Sequence, residues 1–123
     1  MIFMLAALVI GVFPVDKADA ATNRIDLFLH QGTKEVSTLT GVRNPVGGRV
    51  HISFLPDDLG SQNMYYYSIY RNGVLVDGIG ITKATSYSKF FSTSGTYTFK
   101  VTCIPPKGIT RLTCSGRGTV QLR

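Results

Sequence analysis

Apolar and polar residues alternate along this chain with a period of two, most regularly over residues 95–103. In that run Tyr97, Phe99, Val101 and Cys103 point one way, and the polar residues between them point the other. This period is typical of a β-strand with one face in a core and one face in water. We therefore predict a strand here whose apolar side helps to form the core.

Similar short runs follow one another along the rest of the chain, with glycines and prolines between them. No run has the period of an amphipathic helix of useful length. Short strands at close spacing, separated by turn residues, favour an all-β fold, and we predict a single antiparallel β-sandwich of about seven to eight strands. The predicted inward sets include Ile25, Leu27 and Leu29, then Val50, Ile52 and Phe54, then Tyr65, Tyr67 and Ile69.

A hairpin is predicted at Asn72 and Gly73, which separate the aromatic run 64–71 from a return strand at 74–77. Both residues tolerate a positive φ, as a two-residue type I′ turn requires. A weaker strand is expected at 34–42 and a hydroxyl-rich one at 82–91.

The last predicted strand, over residues 110–122, carries the second cysteine of the chain. Cys103 and Cys114 both fall on the inward sets of two strands that follow each other in sequence. We predict that these two strands form a hairpin closed by a Cys103–Cys114 disulfide bond. Their polar side chains would then share one outward face.

The first residues have the pattern of an export signal. Residues 1–13 are almost continuously apolar, Pro14 ends the run, and residues 18–20 form a small-x-small cleavage pattern. The sequence therefore predicts a secretory signal peptide over 1–20 and one domain over 21–123. No Lys or Arg precedes the apolar run, and the alternative is a buried N-terminal helix or strand.

Charge and cysteine content place the domain in an extracellular setting. A small exported domain with two cysteines is expected to be secreted and to hold one disulfide bond. The whole chain has 13 Lys+Arg against seven Asp+Glu, and removal of residues 1–20 leaves 12 against five. A basic secreted domain is attracted to wall polymers, lipid headgroups or acidic glycans, although the charge could serve solubility alone.

Two runs resemble strands of immunoglobulin-like and fibronectin-type-III-like modules, namely residues 65–73 and 94–101. Gly95, Tyr97 and Val101 match a Gly-x-Tyr-x-x-x-Val pattern in which the tyrosine hydroxyl can bond back to a corner of the chain. The resemblance departs from antibody domains because the chain has no Trp. It implies an immunoglobulin-like architecture and leaves the function open.

Candidate catalytic and metal groups are sparse. His30, His51 and Asp26 could approach one another and hold zinc if the first strand paired directly with the strand at residue 50. We expect instead two solvated histidines, no metal and no cofactor. Asp57 and Asp58 fit neither a calcium loop nor a pair of opposed glycosidase carboxylates, and a solvated turn is expected there.

No Gly-x-Ser-x-Gly motif occurs, and cysteines held in a disulfide bond cannot act as nucleophiles. We therefore expect a binding protein and no enzyme. The predicted binding face is basic and rich in hydroxyls, and exposed tyrosines on another strand are candidate aromatic contacts. The face comprises Lys100, Arg111, Arg117, Arg123, Thr98 and Thr113, and the aromatic contacts are Tyr66 and Tyr70.

The sequence thus predicts a small secreted cationic protein that binds an anionic cell-surface or wall polymer, or another protein. One alternative is a secreted effector, such as an inhibitor, toxin or antimicrobial protein. Another is a structural component of a surface assembly. Nucleic acid is not expected as a ligand because of the export signal, no membrane span is expected, and the oligomeric state stays open.

Overall fold

The computed structural model describes residues 23–123, so the signal-peptide prediction lies outside the described residues. Within that range no helix has the length and apolar character needed to cross a membrane. The strands are β1 (Arg24–Leu29), β2 (Glu35–Ser37), β3 (Val42–Asn44), β4 (Val50–Pro56), β5 (Met64–Arg71), β6 (Val74–Lys83), β7 (Tyr87–Phe91), β8 (Gly95–Ile104) and β9 (Gly116–Leu122).

These strands form two antiparallel sheets that pack as a β-sandwich, which confirms the predicted fold class. The four-stranded sheet has the order β1-β9-β4-β7. The five-stranded sheet has the order β2-β8-β5-β6, and β3 also pairs with β8. Residues 23–123 form nine strands, more than the seven to eight expected, because the region 34–42 divides into β2 and β3.

The division between β2 and β3 is made by Thr38, which is buried and takes part in the sheet without belonging to a strand. Its backbone N–H donates to the carbonyl of Phe99 at 3.0 Å, and its Oγ1 accepts from the N–H of Phe99 at 2.9 Å. The Thr38 side chain thus accepts the hydrogen bond that a backbone carbonyl would accept in a continuous strand. Both backbone polar groups of Phe99 in β8 therefore stay paired where the chain leaves the sheet.

The core lies between the sheets and contains the inward sets that the alternation predicts. Phe54 from one sheet packs against three rings of the other, with centroid distances of 6.0 Å to Tyr65, 5.5 Å to Tyr67 and 6.4 Å to Phe99. All four side chains are essentially buried. Aromatic burial on this scale is a major contribution to the stability of so small a domain.

Two local predictions are confirmed. Asn72 and Gly73 both have a positive φ, 52° and 82°, and they connect β5 to β6 as a two-residue hairpin. The hydroxyl of Tyr97 donates to the carbonyl of Thr93 at 2.8 Å, so it fixes the corner that leads into β8.

The predicted hairpin of the last two strands is wrong. β8 belongs to the five-stranded sheet and β9 to the four-stranded sheet, where it lies between β1 and β4. The disulfide bond between Cys103 and Cys114 is present, with Cα atoms 5.7 Å apart. It joins the end of β8 to the connection that crosses to the other sheet.

The course of the middle of the chain also differs from the sequence prediction. β6 does not end at Asp77 but continues through Gly78 and Gly80 to Lys83, with irregular register against β5. The next strand, β7, begins only at Tyr87 and belongs to the other sheet.

β9 can lie at the centre of its sheet because two of its inward positions are glycines. A Cβ atom on Gly116 would stand 2.6 Å from the carbonyl oxygen of Leu55, and one on Gly118 would stand 2.7 Å from that of Ser53. The ring of Phe54 occupies the space that side chains at these two positions would need. The glycines therefore allow the central aromatic ring to pack directly against the β9 backbone.

Candidate binding face

The outward face of the four-stranded sheet carries polar and aromatic side chains in rows that run across the strands. Strand register determines the rows, because residues paired on neighbouring strands point to the same side. In order along β9 they are Phe28, Arg117 and Leu55; Asp26, Thr119, Ser53 and Ser88; Arg24, Gln121, His51 and Phe90; and Arg123 with Arg49.

We call this surface the basic face, since four arginines lie on it, Arg24, Arg49, Arg117 and Arg123. They outnumber two carboxylates, Asp26 and, at the Arg117 end, the exposed Asp57, which lines a depression with Arg117. The carboxylate of Asp26 is compensated by its neighbours. Asp26 Oδ1 accepts from Arg24 Nε at 3.0 Å and from Thr119 Oγ1 at 3.0 Å. The hydrogen bond from Arg24, the largest cause, and that from Thr119 hold the pKa of Asp26 below its usual value despite some desolvation.

A groove of about 570 Å³ runs over the part of this face nearest Arg117. Its floor includes the hydroxyls of Ser53, Ser88 and Thr119, and Phe28 and Leu55 stand beside it. Phe28 is 54% exposed and Leu55 46%, so both present apolar surface to solvent beside the groove. The groove therefore offers hydroxyls, a guanidinium and apolar surface to the same ligand.

A second cluster lies at the other end of the basic face, around Phe90. The guanidinium carbon of Arg49 stands 4.5 Å from the ring centroid, and the imidazole of His51 stacks on the ring at the same distance. His51 Nε2 is also 2.8 Å from Ser88 Oγ. Burial and then the positive charge of Arg123 lower the pKa of His51 below its usual 6.5.

The six residues predicted as one binding face are divided among three places. Arg117 and Arg123 lie on the basic face. Lys100 and Thr98 lie on the outward face of the five-stranded sheet, on the other side of the sandwich. Arg111 and Thr113 precede β9, in its connection from β8, and Thr113 Oγ1 donates to Asn63 Oδ1 at 2.7 Å.

The structure groups Lys100 and Thr98 with the predicted aromatic contacts. Tyr70 pairs with Thr98 in the register of β5 and β8, and Tyr66 pairs with Thr102. The ammonium of Lys100 stands 6.0 Å from the Tyr70 ring centroid, beside a depression of about 200 Å³. This surface carries fewer cations and a smaller depression than the basic face, so it is the weaker candidate.

The strands that carry or adjoin the three residues considered for zinc, Asp26, His30 and His51, are not adjacent in the sheet. β9 lies between β1, which carries Asp26 and precedes His30, and β4, which carries His51. Over the described part of the chain, no group of three or more His, Cys, Asp or Glu side chains could hold a metal ion.

Asp58 has a structural role that the sequence did not reveal. Its carboxylate accepts hydrogen bonds from the hydroxyl of Tyr65, the amide of Asn63 and, at 2.9 Å, the hydroxyl of Ser61. Burial alone would raise the pKa of Asp58, but these hydrogen bonds together outweigh it and hold the pKa below the usual 3.8. The predicted turn is present and Asp57 is exposed, but Asp58 is only partly exposed and holds the turn together through these hydrogen bonds.

Comparison with known proteins adds little. Neither a protein-family model nor a curated protein matches this sequence. Among solved structures, the chain is similar to the pre-peptidase C-terminal domain of a collagenase from Bacillus anthracis, with 10% identity and a TM-score of 0.46. The match covers 83% of this chain and 89% of that chain. So distant a likeness says nothing about ligand or activity.

Proposed function

We propose that this protein is a secreted binding module whose basic face holds an anionic polymer of a cell surface or wall. The observation that carries the proposal is the placement of four arginines on one sheet face, two of them, Arg24 and Arg117, at its groove. Two carboxylates lie against them, Asp26, which is compensated, and Asp57 at the Arg117 end. Cations fixed on a flat sheet attract a polymer with repeated negative charges, and guanidinium groups bind carboxylates or phosphates through paired hydrogen bonds.

Few of the cations are neutralised within the molecule. Among residues 23–123, two ion pairs are found, Arg24 with Asp26 and Lys89 with Asp77. Of the other arginines on the basic face, Arg49 stacks on Phe90, and neither Arg117 nor Arg123 is in one of these two ion pairs. Their charge is therefore available to a partner in solution.

The same contacts support binding in preference to catalysis. Asp26 and Asp77 are paired with cations, Asp58 is engaged by three donors, and both cysteines form a disulfide bond. General acid–base catalysis uses a carboxylate that its neighbours hold against the substrate, whereas Glu35 and Asp57 lie exposed at the surface. The disulfide bond also supports an oxidising, extracellular compartment.

The proposed function is tested by retention on immobilised heparin, a sulfated polymer, in a rising salt gradient. We expect Arg117→Glu to elute at clearly lower salt than the native domain. Lys107→Glu makes the same charge change in the exposed connection before β9, and Lys100→Glu makes it on the other sheet. Both controls should shift elution much less, because they change net charge without altering the basic face.

Two results would overturn the proposal. If the native domain passes through the column at low salt, the face does not bind anionic polymers. If all three variants shift elution equally, retention reflects net charge and no particular surface.

A second candidate, a protease inhibitor, is favoured by the segment between the two cysteines. Pro105 and Pro106 stiffen it, and Lys107, Ile109 and Arg111 are exposed along it. A turn closed by the Ile109 N–H and the Pro106 carbonyl, at 2.9 Å, bends the segment. Inhibition of trypsin-like proteases by the native domain, lost in Lys107→Ala or Arg111→Ala, would support this role; unchanged protease activity would reject it.

A further inference from the structure

The arginines of the basic face are spaced apart along β9. Arg117 lies at the start of this strand, and Arg123 follows its end, where the Arg123 N–H donates to the carbonyl of Arg49 at 2.8 Å. Six residue steps separate Arg117 from Arg123, which is about 20 Å along a strand. A compact anion could not contact both ends, whereas an extended chain with spaced charges could.

Between the two cationic ends the floor formed by β9 and β4 presents polar, uncharged side chains, and the paired Arg24 and Asp26 of β1 lie beside them. Thr119 and Gln121 of β9 lie beside Ser53 and His51 of β4. Hydroxyl and amide groups both donate and accept hydrogen bonds. A ligand that matches this floor therefore carries donors as well as acceptors between its charges.

Asp26 distinguishes a hydroxyl-bearing ligand from a continuous run of phosphates. Both hydrogen bonds that reach its carboxylate from the described residues end on Oδ1, so Oδ2 remains to accept a proton donor. A carboxylate at this point repels a chain of closely spaced anions. It would instead accept a hydrogen bond from a hydroxyl of a sugar.

The apolar surface beside Arg117 points the same way. Phe28 pairs with Arg117 on one side and Leu55 on the other, so the cation stands between two exposed apolar side chains. An aromatic face packs well against the C–H groups of a sugar ring, while the guanidinium binds the carboxylate of that ring. Neither feature is needed to bind a polyphosphate.

We propose that the basic face takes a linear acidic polysaccharide, a chain of hydroxyl-bearing sugar rings with carboxylates, laid along β9 from Arg117 to Arg123. A ring packs on Phe28, its carboxylate meets Arg117, its hydroxyls meet Asp26 and Thr119, and a later carboxylate meets Arg123 and Arg49. This assignment rests on the proposed binding function and specifies its ligand class.

The test is a calorimetric titration of the native domain with oligogalacturonates of increasing length. Neutral oligosaccharides of equal length and inorganic polyphosphate serve as comparison ligands. We expect affinity for oligogalacturonate to rise until the chain spans about 20 Å and then to level off. Amide shifts in NMR spectra should follow β9 and β4 and should leave Lys100 on the opposite face unchanged.

Phe28→Ala provides the variant that separates this ligand from other polyanions. Loss of the ring should weaken oligogalacturonate binding about tenfold and leave the weaker binding of polyphosphate, which has no sugar ring, nearly unchanged. Tyr66→Ala, an exposed aromatic on the other sheet, is the control and should change neither. If polyphosphate or neutral sugars bind as tightly as oligogalacturonate, or if Phe28→Ala has no effect, the ligand assignment is wrong while the polyanion function stands. If no polyanion binds, the proposed function itself fails.

Discussion

Tyr65, at the start of β5, is hydrogen-bonded to Ser115, just before β9: the Ser115 N–H donates to the phenol oxygen at 3.1 Å. The same hydroxyl donates to the carboxylate of Asp58. One phenol therefore joins the loop after β4, the five-stranded sheet and the segment that enters the four-stranded sheet. Burial and the hydrogen bond to Asp58 raise the pKa of Tyr65 well above its usual value, so the hydroxyl keeps its proton.

Tyr65→Phe should therefore destabilise the domain although it removes a single oxygen atom. Asp58 loses a donor and the Ser115 N–H loses its acceptor, for which we expect a decrease of about 1–3 kcal/mol in the free energy of unfolding. Urea denaturation followed by tyrosine fluorescence measures it. Tyr66→Phe makes the same change on a partly exposed ring and should shift stability by less than about 0.5 kcal/mol. Equal effects of the two variants would contradict a special role for the Tyr65 hydroxyl.

The disulfide bond should make a comparable contribution. Replacing Cys103 and Cys114 together by alanine opens a short loop, and the chain-entropy estimate is a loss of about 3 kcal/mol. The denaturation midpoint of the double variant should therefore be well below that of the oxidised protein. Reduction of the native domain should lower the midpoint similarly. Identical midpoints with and without the bond would show that the connection into β9 is held by other contacts.

Gly118→Ala tests the close packing of Phe54 on β9. The new Cβ would lie 2.7 Å from the carbonyl oxygen of Ser53 and 2.9 Å from Cδ1 of Phe54. Since a backbone oxygen cannot move aside alone, we expect a loss of about 1–3 kcal/mol in thermal or urea unfolding. Gly80→Ala is the control, because no atom lies within 4 Å of a Cβ built there. A neutral Gly118→Ala would mean that the two strands can separate easily.

Features that depend on local alternation of apolar and polar residues were predicted well from the sequence. The inward set of β8, with Tyr97 and Phe99, follows from a period of two, because burial of one face leaves the pattern in the sequence. The positive φ of Asn72 and Gly73 follows from turn chemistry in the same local way.

The pairing of β9 could not be derived in this way. Both sheets turn their apolar sides to the same core, so the inward position of Val120 is compatible with either sheet. The connection of 11 residues between Ile104 and Gly116 is long enough to cross the roughly 10 Å between packed sheets. Because β8 and β9 follow each other in sequence, a hairpin was the expected pairing. In the structure the inward glycines of β9 let this strand pack against Phe54 of β4 instead.

That error also changed the candidate site. The sequence placed Arg117 and Lys100 on one surface, whereas their strands lie in opposite sheets. The basic face instead joins Arg117 to Arg24 and Arg49, which are far apart in the sequence and meet only through strand order. The sequence held one signal of this surface: Phe28 is an apolar residue at an outward position of β1.

We predict that His51 makes binding at the basic face dependent on pH. Arg49 and Arg123 are the charged groups that face it, and Ser88, Gln121 and the Phe90 ring complete its surroundings. Because burial and the charge of Arg123 lower its pKa below the usual 6.5 in the free protein, the ring is mostly neutral at pH 7. A bound polyanion favours the protonated ring and raises this pKa, so binding takes up a proton.

Affinity for a sulfated polymer should consequently rise as the pH falls from about 7 to about 5, where sulfate groups stay ionised and imidazole titrates. Heparin titrations at several pH values measure this slope. His51→Asn should lose most of the slope, whereas His30→Asn, whose ring stacks on Phe28 at the Arg117 end of the face, should keep most of it because no arginine contact is found at His30 among the ring contacts described. An identical slope in both variants would place the proton uptake elsewhere and remove His51 from the binding surface.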